Sequence, residues 1–141
     1  MTNMIPQAPE HNQHLWKNLE EYTRALVMQG NEVYVIMGSY GSGGAGSNGL
    51  AKQIDHRHIN VPDRIWKVLV VLRDGNNDLQ RITKNTRIIA VNTPNSNDAN
   101  HRWTAYLTTI EEIERATRYK LLDKVPEEIR QELVKKIDTG P

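Results

Sequence analysis

Three short β-branched runs follow one another with no helix-forming stretch between them, and this order constrains the fold more than any other feature. They are Glu32-Val-Tyr-Val-Ile-Met37, Trp66-Lys-Val-Leu-Val-Val-Leu72 and Arg87-Ile-Ile-Ala-Val-Asn92. Each has the composition and length of a strand. Parallel neighbours would need long crossovers, usually helical, whereas consecutive strands joined by loops and turns run antiparallel. The connection GSYGSGGAGSNG at 38–49 is Gly- and Ser-rich and reads as a flexible loop. A phosphate-cradling loop would be followed by Lys-Ser/Thr and a helix, and neither follows here. Asp74-Gly75-Asn76-Asn77 is a turn signal between the second and third runs. The expected fold is therefore α+β, an antiparallel central sheet flanked by helices.

The helices lie at the two ends of the chain. From about Gln13 to Gln29, Leu15, Trp16, Leu19, Tyr22, Thr23, Leu26 and Val27 recur at three- and four-residue spacing, and Gly30 can stop the helix. Thr109 with Glu112 has the pattern of a capping box for a second helix. Pro126 suits the first position of a third, which is predicted to run to about Ile137. The chain of 141 residues is expected to form a single domain, with no internal repeat.

Composition narrows the function. Hydrophobic residues at 38% and charged residues at 25% are those of a globular protein. The net charge of +1 lacks the basic excess usual for tight nucleic-acid binding, so phosphate contacts would depend on local clustering. Cysteine is absent, which excludes disulfides and thiolate metal sites within this chain. No apolar run reaches membrane-spanning length, so no membrane partner is expected. The start MTNMIPQAPEHNQ carries neither the charged nor the apolar region of a signal peptide.

The densest chemistry is in PEHNQHLWKNLEEYTR, residues 9–24. On a helix, Asn12, Trp16, Glu20 and Arg24 follow one another at spacing four and stay near one side. An amide, a carboxylate and a guanidinium in a line suit a hard cation bound to a phosphate. Eight residues of helix separate Asn12 from Glu20 by about 12 Å along the axis. Both therefore cannot comfortably ligate one ion, and Glu20 would act through water. The same residues also make an ordinary helix start, with Asn12 as an N-cap and Glu20–Arg24 as a favourable i,i+4 pair.

The stretch TNMIPQAPEHNQHLWKNLEEYTRALV resembles the motif region of the DNA/RNA non-specific endonucleases, the sugar-non-specific nucleases of the ββα-metal (His-Me finger) class. Their pattern is N-[MI]-x-P-Q-x-x-x-x-N-[QR]-x-x-W-x-x-L-E-x-x-x-R. Asn3, Pro6, Gln7, Asn12, Gln13, Trp16, Leu19, Glu20 and Arg24 fall on it. GNEVYVIMG, VPDRIWKVLVVL and ITKNTRIIAVNTPN continue the likeness, most closely to cyanobacterial members. The resemblance implies a ββα-metal nuclease-like fold and metal-dependent cleavage of phosphodiester bonds in DNA and RNA, leaving 5′-phosphate products. It makes Asn12 the protein ligand of Mg²⁺ or Mn²⁺, Glu20 a water-positioning carboxylate and Arg24 a clamp on phosphate oxygens. Asn3 falls on a polar position of the same site. Contacts would go to backbone phosphates, which explains indifference to sequence and sugar.

The family's general base is a His in a D-R-G-H segment upstream of the part resembled, and no D-R-G-H occurs in these 141 residues. The chain is thus expected to be the C-terminal portion of the nuclease domain, incomplete at its N-terminus and with little or no activity alone. Its partners would be DNA and RNA, and either the missing N-terminal half or an inhibitor protein. His11 and His14 flank Asn12, and His56 and His58 form an x-His-x-His pair without an evident third ligand; surface or capping roles are expected for them, as for His101. The competing function is a non-catalytic module that binds nucleic acid or protein on the nuclease scaffold. Family members are often secreted or periplasmic, and the sequence assigns this chain no compartment.

Overall fold

The computed structural model describes residues 11–41, 44–46, 49–51, 53–54, 59–60, 62–96 and 100–141, with side chains for 14–41, 62–96 and 100–141. A π-helical turn, His11–Trp16, leads into α1, Lys17–Met28. Next come β1 (Asn31–Tyr40), the short strands β2 (Gly44–Gly46), β3 (Gly49–Ala51), β4 (Gln53–Ile54) and β5 (Ile59–Asn60), and then β6 (Arg64–Arg73). A small helix, α2 (Asp78–Arg81), precedes β7 (Arg87–Pro94). A 3-10 turn at Trp103–Tyr106 runs into β8 (Leu107–Thr108), and α3 (Ile110–Thr117) and α4 (Glu127–Leu133) complete the order. Among the described residues, no helix is long and apolar enough to cross a membrane.

The main sheet has four strands in the order β1-β6-β7-β8. Every pairing is antiparallel, as the clustering of strands in the sequence requires. β1 lies along β6 from Asn31↔Arg73 to Tyr40↔Arg64. β7 lies on the other side, from Arg64↔Pro94 to Val71↔Arg87. β6 is thus central, and helices cover both its faces. Ile65 and Leu69 point into one apolar cluster with Leu15, Trp16, Leu19 and Leu26 of the first helical segment. Trp66, Val68, Val70 and Leu72 point into the other, with Ile110 and Ile113 of α3 and Leu133 of α4. Half-buried antiparallel strands normally alternate apolar and polar residues; burial on both faces is why this one reads as an apolar run.

β1 extends past the expected Met37 into the Gly/Ser-rich stretch, so 38–40 is strand rather than connector. The cause is pairing with β6, which sets Trp66 opposite Gly38. The Trp66 ring lies over Gly38, where a Cβ would stand 2.6 Å from Trp66 Cζ2, so the strand needs a residue without a side chain at that position. Within the remainder of the expected loop, Gly44–Gly46 and Gly49–Ala51 pair with each other. The turn after β6 also does more than reverse the chain. Asn77 takes a left-handed conformation (φ 59°) and starts α2. Arg81 at the end of α2 then pairs with Asp78 and Glu32, and its Nε donates to the Asn76 carbonyl at 2.7 Å.

Half of the expected capping box is formed at α3, where the Glu112 N–H donates to Thr109 Oγ1 at 3.1 Å. Arg130 of α4 is buried, donating through Nε to the Leu121 carbonyl at 2.8 Å and pairing with Glu114 of α3. α4 ends at Leu133, short of the expected Ile137, because tertiary contacts take the chain off the helix axis. Lys136 Nζ donates to the Thr86 carbonyl at 2.7 Å. Arg87 of β7 grips Asp138 with two hydrogen bonds of 2.8 and 2.9 Å, the Tyr22 hydroxyl of α1 at 2.9 Å and the Gly140 carbonyl at 3.1 Å.

Burial alone would raise the Asp138 carboxyl pKa, but hydrogen bonds from Arg87 and the Gly140 N–H, with the Arg87 charge, outweigh it and hold the pKa below the ordinary 3.8. A depressed carboxyl pKa contributes stability that is present above the unfolded value and lost as pH falls through the folded one. Asp138→Asn should therefore destabilise the protein by about 1–3 kcal/mol in urea unfolding at pH 7. The gap to the native protein should close as pH is taken well below 3.8.

Candidate functional site

The helix that carries the candidate residues begins as a π turn, wider than an α turn by one residue. π-turns are rare and often found at functional sites. Spacing in the sequence could not reveal it, because Leu15, Trp16 and Leu19 fit either helix. His11 opens the turn, so Asn12 lies inside it, past the capping position. Asn12 is thus not an N-cap of this helix. Its side chain, like those of His11, His56 and His58 and the whole of Asn3, lies outside what the structure describes.

Trp16 is buried against the sheet at 1% exposure. One turn further on, the Glu20 side chain is 54% exposed, and the next position in the line, Arg24, is exposed as well. Glu20 and Arg24 do not form the i,i+4 ion pair that an ordinary helix surface would offer. Arg24 has no ion-pair partner among the described residues, and its guanidinium remains available to an anion. Glu20 instead faces Lys67 of β6, whose Nζ stands 4.0 Å from Glu20 Oε1. That separation is a charge–charge contact, longer than a direct hydrogen bond.

Lys67 is the residue that the sequence reading missed. It is 7% exposed, on the same face of β6 as Ile65 and Leu69, and is flanked in register by Met37 of β1 and Val91 of β7. Its ammonium lies 4.6 Å from the centroid of the Trp16 ring, a cation–π contact. Burial pushes the Lys67 pKa down and the Glu20 carboxylate partly restores it. The signal that could have found Lys67 is a lone cation inside an otherwise apolar strand run.

His14 is exposed and stacks on His101, ring centroids 4.4 Å apart and planes at 19°. Asn18 Nδ2 donates to the His101 carbonyl at 3.0 Å. These two contacts fasten the segment before the 3-10 turn to the first helical segment. Among the described residues, no three His, Cys, Asp or Glu side chains come together to hold a metal. The donors that the motif does supply, an amide and a carboxylate, are oxygens, which suits a hard cation such as Mg²⁺ or Mn²⁺.

The model of a protein family described as DNA/RNA non-specific endonuclease matches residues 1–128. The chain belongs to this family. A nuclease of Nostoc sp. (strain PCC 7120) is 41% identical over 138 residues, 98% of this chain and 47% of the relative. Human mitochondrial endonuclease G is 33% identical over 79 residues, 53% of this chain and 27% of the relative. The chain therefore spans under half the length of both. Among solved structures, an endonuclease G chain from the EndoG/EndoGI complex, reported for the mechanism of EndoG inhibition, aligns with TM-score 0.61 at 21% identity, over 89% of this chain and 50% of that one. That likeness is one of fold, and the mixed architecture with its antiparallel sheet agrees with the α+β expectation.

The buried charge on Lys67 opposes folding at neutral pH. A lysine whose folded pKa is depressed carries its full cost below that pKa, and the cost is relieved as pH climbs toward the ordinary 10.5. Lys67→Met keeps the apolar stem and should leave stability equal to the native protein's or raise it by about 1 kcal/mol in urea unfolding at pH 7. The difference should shrink as pH approaches 10.5.

Proposed function

We propose that this chain carries the metal-binding and phosphate-clamping segment of a non-specific endonuclease that hydrolyses phosphodiester bonds of DNA and RNA. The observation that supports this best is the state of the motif residues on α1. Glu20 and Arg24 stand one turn apart and exposed, and neither is spent on the other. A surface helix with no further task would be expected to pair them.

In this reading the amide oxygen of Asn12 would hold a divalent ion, Mg²⁺ or Mn²⁺, which when bound would supply positive charge to offset that of the phosphate. Glu20 accepts a hydrogen bond from water and so orients it. Arg24 donates paired N–H bonds to phosphate oxygens and follows their charge into the transition state. Asn3 adds a polar contact to the same site. Backbone phosphates, not base edges, are the groups recognised, so the products are 5′-phosphorylated fragments of either nucleic acid. The general base is a His of a D-R-G-H segment, which this sequence does not contain. By itself the chain therefore cleaves little or not at all, and the proton acceptor comes from a polypeptide carrying that segment. The solved neighbour is bound by an inhibitor protein, which supports an inhibitor as a further class of partner.

The test is cleavage of plasmid DNA and of RNA with Mg²⁺ or Mn²⁺, with the chain alone and with a polypeptide carrying the D-R-G-H segment added. Cleavage is expected only in the second case. Asn12→Ala, Glu20→Gln and Arg24→Ala should each lower it about 100-fold or more. Robust cleavage by the chain alone, abolished in Asn12→Ala, would place the base on another residue. Failure of the combined sample to cleave, with amide signals around Asn12 unmoved by either metal, would leave the non-catalytic binding module as the reading.

A further inference from the structure

We propose that Lys67 is the positioning residue of the site: from its seat in the sheet it fixes the direction of the Glu20 carboxylate. This deepens the nuclease reading, since it rests on Glu20 being the carboxylate that orients water.

The two partners are held very unequally. Lys67 is nearly immobilised. Its stem is enclosed between β1 and β7 at Met37 and Val91, and the residue is 7% exposed. Its ammonium rests over the buried Trp16 ring at 4.6 Å. Glu20 is the opposite case, 54% exposed on the outer part of a helix, with several rotamers open to it. Lys67 is its sole ion-pair partner among the described residues. The restraint therefore runs one way, from the sheet to the helix. It also uses two residues of the motif, because Trp16 steers the cation and Glu20 receives its field. A carboxylate that must hold one water needs its direction fixed to within a fraction of an ångström, and a side chain locked by packing behind it supplies that. An apolar residue at position 67 would fill the core at lower cost, since burying the ammonium opposes folding. A role in holding Glu20 accounts for a charge where the core alone would favour none.

The inference can be read without catalysis. In the isotopically labelled chain, three-bond couplings to Glu20 Cγ report its χ1 populations. One dominant rotamer is expected in the native protein, averaged couplings in Lys67→Met, and recovery toward the native values in Lys67→Arg. Glu21, the exposed neighbour, should be unchanged throughout. In Glu20→Gln, the ring-current shift of the Lys67 ε-methylene over Trp16 should persist, because Lys67 does not depend on Glu20 for its place. Unchanged Glu20 couplings in a folded Lys67→Met would overturn the proposal, and so would loss of the ring-current shift in Glu20→Gln. If Lys67 orders Glu20 while the sample combined with the D-R-G-H polypeptide neither cleaves nor shows movement of the Asn12 amide signals with Mg²⁺ or Mn²⁺, the pairing stands and the nuclease reading falls.

Discussion

Burial of β6 on both faces is the constraint from which the rest of this structure follows. The strand takes β1 along one edge and β7 along the other, and it carries apolar side chains into a helical layer above and another below. Side chains alternate strictly along a strand, so the face to which each residue points is set once the register is set. Ile65, Lys67 and Leu69 must all face the first helical segment. Lys67, the cation in the middle of that row, is thereby set beneath the helix that bears the candidate site.

That placement joins two parts of the molecule that the sequence keeps far apart. The π turn seats Trp16 on the sheet, Trp16 supports the Lys67 ammonium, and the ammonium reaches Glu20. A buried charge is weak evidence for stability and better understood as a device for specificity. Here it ties the direction of a surface carboxylate to a central, buried strand of the sheet. Arg87 does comparable work on the same face, binding Asp138 and Gly140 of the C-terminal segment beside Tyr22 of α1. The other helical layer is closed by Arg130, which spans from α4 to Glu114 of α3.

Much of the fold was legible in the residues. The three strand runs, the amphipathic stripe of the first helix, the Thr109 cap and the start after Pro126 all carry local signals, and the structure has them. Membership of the nuclease family was legible in the motif of residues 3–24. The misses have a common character. Residues 38–40 belong to a strand because β6, distant in the chain, pairs with them. α4 stops early because Thr86 and Arg87 hold the residues that follow it. The π turn left no trace in the spacing of apolar residues. Lys67 was overlooked because a lone lysine in an apolar run resembles a tolerated exception until its neighbours in space are known.

By itself the sequence determined the kind and order of the main segments: helix, antiparallel strands, helices. Those properties rest on backbone preference and short-range periodicity, which neighbouring residues encode. Only the tertiary structure decided that Glu20 answers to Lys67 rather than to Arg24. The physical reason is that ion pairing depends on distance and burial, and a residue 47 positions away in the chain comes within 4.0 Å only after the strand and the helix have packed.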